Sequence, residues 1–172
     1  MKEMARFGFI LGIICIVAAG LLAGVNSLTK PRILAQALAE ENASLKEVLP
    51  EANNFEAVKE KEEIVYYKAY NKDGKFIGVA FKASGKGYSS NVETLAGMLK
   101  DGKVIAIKIL LQNETPGLGS RITDLSFTNQ FKGINDLSGV QAITGATISS
   151  RAVIASVEKK ASEIKGLIKN EK

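Results

Sequence analysis

Residues 64–81 read IVYYKAYNKDGKFIGVAF. Two runs rich in β-branched and aromatic residues flank Asn71-Lys72-Asp73-Gly74, whose Asn and Gly tolerate the backbone of a tight hairpin. The pattern recurs downstream, where residues 92–99 and 104–111 flank Asp101-Gly102. Four strands joined by short turns predict an antiparallel sheet. The helices around it make the fold class α+β. Between the two hairpins, Gly85-Lys86-Gly87-Tyr88-Ser89-Ser90 reads as a flexible loop with one aromatic.

Residues 151–169 predict a helix covering that sheet, with Val153, Val157, Ala161, Ile164 and Ile168 on one stripe and lysines and glutamates opposite. Its basic end needs no functional explanation, since cations are favourable at a helix C-terminus. A shorter helix is expected over 120–131, capped by Ser120 and carrying Ile122, Leu125, Phe127 and Phe131. Two stretches carry chemistry. Thr144-Gly145-Ala146-Thr147-Ile148-Ser149-Ser150 lies at the start of the long helix. Unpaired amides and the positive end of the helix dipole suit a phosphate there, although Ser and Thr are also ordinary helix caps. Residues 112–119, QNETPGLG, leave the last strand as a tight loop in which Pro116 fixes one φ angle and Gly117 and Gly119 free others. On local grounds it reads first as a plain turn, with Glu114-Thr115 as its unusual polar lead.

Upstream, residues 7–25, FGFILGIICIVAAGLLAGV, hold no charge. As a helix they span roughly 29 Å, about one hydrocarbon thickness. The run is longer than a usual signal-peptide core and lacks a good cleavage site, so a retained membrane anchor is expected over 7–28. Lys2 and Arg6 before it nearly balance Lys30 and Arg32 after it, so charge does not orient it. Residues 31–50 place Leu34, Leu38, Leu45 and Leu49 near helical spacing between two prolines, which predicts a separate stem helix. Residues 56–63 read as a solvated connector or helix turn. The expected organisation is a tail over 1–6, the anchor over 7–28, stem and connector over 29–60, and one domain over 61–172.

With no histidine and a single cysteine, Cys15, the chain can build no Ser-His-Asp triad, His-ligated zinc or intrachain disulfide. A dispersed net charge of +5 argues against nucleic acid and allows weak attraction to anionic lipid. Chemistry must come from hydroxyls, carboxylates, lysines, amides or a cofactor.

An apolar N-terminus, then Gly87-Tyr88, then E-T-P-G-L-G over 114–119, then T-G-A-T-I-S over 144–149 resembles the FMN-binding domain family, specifically its RnfG members. NqrC proteins share the flavin motif. The resemblance covers essentially the whole chain. It implies covalent FMN on Thr147 through a phosphoester, with Gly145 and Ala146 letting the backbone approach the phosphate. Thr144 and Ser149 are poorer alternatives for the attachment. By the same resemblance, Glu114, Thr115, Gly117, Leu118 and Gly119 form the loop beside the isoalloxazine ring, with Tyr88 near it. The family carries Asp three residues before its [ST]-G-A-T motif; here Gln141 stands there, and Asp136 is out of register.

The implied function is electron relay in a membrane complex coupling ferredoxin and NAD oxidoreduction to Na⁺ or H⁺ movement, with no complete reaction by this chain alone. The implied partners are the other membrane and peripheral subunits, a flavin transferase and membrane lipid. The domain would sit on the extracytoplasmic side of a bacterial inner membrane. Two rival readings are a membrane-anchored adaptor or sensor without a redox cofactor, and a free-standing flavin reductase component.

Overall fold

The computed structural model describes residues 2–60 and 63–169. The chain divides into two units, Met1–Asn42 and Ala43–Lys172.

Within the first unit the backbone is helical from Lys2 onward, in a helix α1 whose full extent is Lys2–Val48. The expected break between anchor and stem is absent, because helix α1 continues through Pro31. Proline removes one amide donor, but its fixed φ is already helical, so a single lost bond leaves the turns on either side able to propagate. Just before it, Thr29 Oγ1 donates back to Val25 O at 2.9 Å. The side chains of residues 6–33 are exposed throughout. Among the described residues this is the one helix long and apolar enough to cross a membrane. Leu38, expected on an apolar stem face, is exposed, and the side chain of Leu34 lies outside the described residues.

The second unit is built on a five-stranded antiparallel meander in the order β1-β2-β3-β4-β5. The strands are β1 Asn54–Glu60, β2 Glu63–Tyr70, β3 Phe76–Lys86, β4 Asn91–Leu99 and β5 Val104–Leu111. Both hairpin turns form as their residues dictate. Asn71 Oδ1 accepts from the amides of Asp73 and Lys75, and Asp101 Oδ1 accepts from Lys103 N. Strand β1 corrects the expected connector over 56–60; residues 61 and 62 lie outside the described residues. A bulge at Val58/Lys59 breaks its period, so no alternation was visible in sequence. Its charged, exposed side chains suit an edge strand, where they discourage pairing with other chains.

Both faces of the sheet are buried, which is why the inner strands read as nearly continuous apolar runs. Tyr66 and Tyr67 are consecutive and bury on opposite faces, as the two-residue period requires. On one face Val79, Phe81, Val92 and Met98 meet Val153, Val157, Ala161 and Ile164 of α3, the helix Thr147–Lys169. On the other, Ala69, Ala80 and Leu95 meet Leu45, Val48, Leu49 and Ala52. Leu45 and Leu49 are each 1% exposed, so this last part of the expected stem is core of the second unit.

The single helix expected over 120–131 is instead a 3-10 turn Gly119–Thr123, a short helix α2 Leu125–Thr128 and a second 3-10 turn Asn129–Phe131. Asp124 adopts an extended conformation between the first two. Hydroxyls divert the backbone here: Thr123 Oγ1 donates to Ser120 O, and Ser120 Oγ accepts from Gly117 N instead of capping a helix. Ile122, Phe127 and Phe131 still bury, the two rings meeting edge to face at 5.4 Å, while Leu125 is exposed.

Candidate functional site

Antiparallel register brings three distant stretches to one end of the sheet. Residues 87–90 join β3 to β4 there. Glu93 pairs with Leu111, so residues 112–119 leave β5 at the same end. The N-terminus of α3 arrives beside them because its backbone packs directly on β3: a Cβ on Gly85 would lie 2.5 Å from Ala152 O.

Between them lies a cleft of about 380 Å³, lined by Tyr88, by Glu114, Thr115, Leu118 and Gly119, and by Gly145, Ala146, Thr147, Ile148 and Ser149. The residues singled out in the sequence therefore converge, apart from Thr144 and Gly117. Gly117, at φ +74°, shapes the turn from outside the cleft. Thr144 is exposed and precedes Gly145, whose φ of +83° redirects the chain into α3. Ile148 lines the cleft and was not singled out.

Thr147 is the first residue of α3 and is exposed. The amides of this first turn are those that a helix leaves without an intrahelical acceptor, and α3 has no acidic residue there. Ala146 is buried and its amide donates to Ile143 O at 2.9 Å. Ser150, fully buried, fastens the entry to the helix: its Oγ donates to Ala146 O at 2.8 Å and accepts from Ile143 N at 3.1 Å. Around Thr147 stand the exposed apolar side chains of Tyr88, Leu118 and Ile148.

Ser149 is different in kind. It is 2% exposed, and its Oγ donates to Glu114 Oε2 at 2.6 Å, so its hydroxyl is already committed. Glu114 is itself buried beneath the cleft. It also accepts from the amides of Tyr88, Ser89 and Ser90, at 3.1, 3.0 and 3.0 Å. Burial opposes its ionisation, but the bonds from Ser149, Ser90, Ser89 and Tyr88 prevail and hold its carboxyl below the usual range. The loop expected to be flexible is thus pinned. Glycine and serine content signalled mobility, while the carboxylate that ends it lies 24 residues or more downstream.

Asp136 does not enter the cleft; its carboxylate caps a turn by accepting from Ser138 N and Oγ. Gln141 is exposed, and its backbone is tied to Gln130 through two hydrogen bonds.

A cleft with apolar walls, a helix N-terminus and an exposed hydroxyl suits a ligand that pairs a flat apolar ring with a phosphate. Its volume is within the range of small-molecule sites. Residues 87–162 match the family described as the FMN-binding domain, and residues 1–48 match the RnfG N-terminal region. The fold and cleft are accordingly those of an FMN-binding-domain protein that also carries an apolar N-terminal helix.

The relatives narrow this further. The chain is 32% identical to the G subunit of the proton-translocating ferredoxin:NAD(+) oxidoreductase complex of Clostridium ljungdahlii, over 90% of this chain and 88% of that one. It is 31% identical to the G subunit of the Na(+)-translocating ferredoxin:NAD(+) oxidoreductase complex of Acetobacterium woodii, over 91% and 89%. Crystalline NqrC of Shewanella oneidensis is 19% identical with a TM-score of 0.49, covering 69% of this chain and 74% of that one. The chain belongs to the RnfG family.

Proposed function

We propose that Thr147 carries FMN as a phosphoester and that the chain relays electrons within an Rnf-type complex that couples ferredoxin and NAD oxidoreduction to ion movement. The observation that carries the attachment is the placing of hydroxyls: Thr147 is exposed on the cleft, whereas Ser149 is buried against Glu114. Thr147 Oγ1 would supply the ester oxygen by attacking the flavin-bearing phosphorus of an activated donor, a phosphoanhydride of FMN. It loses its proton as the new P–O bond forms, while the anhydride P–O bond breaks and the other phosphate half leaves. The α3 amides would face the phosphate charge, and Gly145, whose φ of +83° favours glycine, brings no side chain into the approach. Tyr88, Leu118 and Ile148 would cover the ring. FMN, when bound, supplies one-electron redox chemistry that this chain's own side chains lack.

The relatives' names support the complex, since they are called G subunits of ion-translocating oxidoreductase complexes. The apolar helix fits a single-pass anchor. We place the FMN domain on the extracytoplasmic side, where covalent attachment prevents loss of a cofactor that could not be replenished. A flavin transferase is then required for maturation, and Gln141 in place of Asp makes a matched transferase the expectation.

The test is the intact mass of the protein purified from its native membrane and unfolded in acid. A gain of one FMN less one water, mapping to the Thr147 peptide, is expected. An unmodified mass from cells containing the transferase overturns the attachment, and isolation as a lone active flavoprotein overturns the place in a complex.

A further inference from the structure

Glu114 lines the flavin cleft but is not arranged to meet a ligand with its charge. It is 5% exposed, and both carboxylate oxygens are occupied. Oε2 accepts from Tyr88 N and Ser149 Oγ; Oε1 accepts from Ser89 N, Ser90 N and, at 3.4 Å, Ser90 Oγ. Three consecutive amides converging on one anion form a nest, a motif that elsewhere holds phosphate or an isolated carboxylate. Here the protein fills it with its own side chain. Two glycines make the contact possible. A Cβ on Gly87 would lie 2.6 Å from Glu114 Oε1, and one on Gly119 would lie 2.8 Å from Oε2.

The residue so held is Tyr88, whose backbone is fixed while its ring stands 72% exposed at the cleft. An aromatic ring gains little from sitting in water. A flat ring beside it would bury its face by stacking. We infer that Glu114 is a positioning residue for the flavin: by tying the 87–90 loop to the first turn of α3, it sets Tyr88 as a wall against the isoalloxazine ring. The inference rests on the flavin reading above. Glu114 acts through Tyr88 and need not touch the cofactor.

The test uses the full chain from cells that flavinylate it, with Glu114→Gln, Tyr88→Ala and the double variant. Gln keeps the size of Glu but loses its charge and turns an amide donor toward amide donors. A tyrosine stacked on a flavin quenches its emission by donating an electron to the excited ring, so emission per bound flavin reads the Tyr88 position. Hydrogen exchange at the amides of residues 88–90 reads the tether. Glu114→Gln is expected to speed that exchange at least tenfold and to brighten the flavin severalfold. Tyr88→Ala should brighten it equally without changing exchange. The double variant should be no brighter than Tyr88→Ala, since both act through one ring.

Faster exchange with unchanged emission, or emission gains that add in the double variant, overturns the inference while leaving the flavin reading intact. Wild-type protein without flavin overturns both. Should Glu114→Gln not fold, Ser149→Ala cuts only the tie to α3 while Glu114 still holds the 88–90 amides. Emission should then rise with exchange at 88–90 unchanged, and the rise should vanish in the Tyr88→Ala background; unchanged emission overturns the inference.

Discussion

Ser149 Oγ donates a 2.6 Å hydrogen bond to Glu114 Oε2 across 35 residues of sequence, and both partners are buried. This bond joins the loop leaving β5 to the first turn of α3. It also separates the hydroxyls of the T-G-A-T-I-S-S stretch by task, because Ser149 and Ser150 hold structure while Thr147 faces the cleft.

Thr147→Ala should abolish covalent flavin, seen as loss of the flavin band on a denaturing gel and of the added mass. Thr144→Ala should keep it. Because Thr147 is exposed, the unflavinylated protein should stay within about 0.5 kcal/mol of its own wild-type stability.

Ser149→Ala should retain flavin on Thr147 yet lower stability by about 1–3 kcal/mol, the cost of removing a donor from a buried charged acceptor. Urea denaturation of the unloaded protein measures this directly. Flavin lost from Ser149→Ala and retained in Thr147→Ala would reverse the assignment of the attachment site.

Gly119→Ala should cost about 1–3 kcal/mol through overpacking, because the new methyl would lie 2.7 Å from Glu114 Cβ and 3.0 Å from Ser149 Oγ. Gly139, which has nothing within 4 Å of an added Cβ, is the control. Its alanine variant should melt within a few degrees of wild type.

Acid should release the Glu114 tether. Its carboxyl lies lower in the folded than in the unfolded chain, because the bonds from Ser149 and the 88–90 amides outweigh the opposing burial. The resulting stability is therefore present above the unfolded carboxyl value, about 4.3, and is lost as pH falls through the folded value. The stability gap between wild type and Glu114→Gln should be constant from neutral pH to about 5.5 and close progressively below about 4.3. Asp136 is lowered too, by Ser138 N and Oγ, but it is common to both proteins and cancels. A gap that widens in acid would refute this assignment.

A chain beginning at Ala43 should fold, since it keeps Leu45, Val48, Leu49 and Ala52 on the second face of the sheet. One beginning at Asn54 should aggregate or lose its cooperative melt, because Ala69, Ala80 and Leu95 would be uncovered. Circular dichroism during heating distinguishes the two. We accordingly propose Ala43, rather than residue 61, as the start of the domain.

Much of this protein is local and was legible from sequence. Asn71-Lys72-Asp73-Gly74 and Asp101-Gly102 fix their hairpins through side-chain acceptors and positive-φ glycines that need no distant partner. Nineteen uncharged residues specify an apolar helix, and the 3.6-residue stripe from Val153 to Ile168 specifies the inner face of α3. The T-G-A-T and E-T-P-G-L-G stretches, each on local grounds an ordinary cap or turn, marked the cleft only through their combined resemblance to the FMN-binding domain family.

Tertiary structure decided what depends on contacts distant in sequence. Residues 54–60 became a strand because β2 offers a partner, which their charge-rich pattern does not announce. Residues 119–131 broke into short turns because nearby hydroxyls claimed the backbone groups, while Ile122, Phe127 and Phe131 had still to reach the core. Most of all, the fate of each hydroxyl was undetermined until the sheet brought Glu114 beneath α3. A hydroxyl's chemistry depends on whether its hydrogen bond is already taken, and only the folded chain sets that.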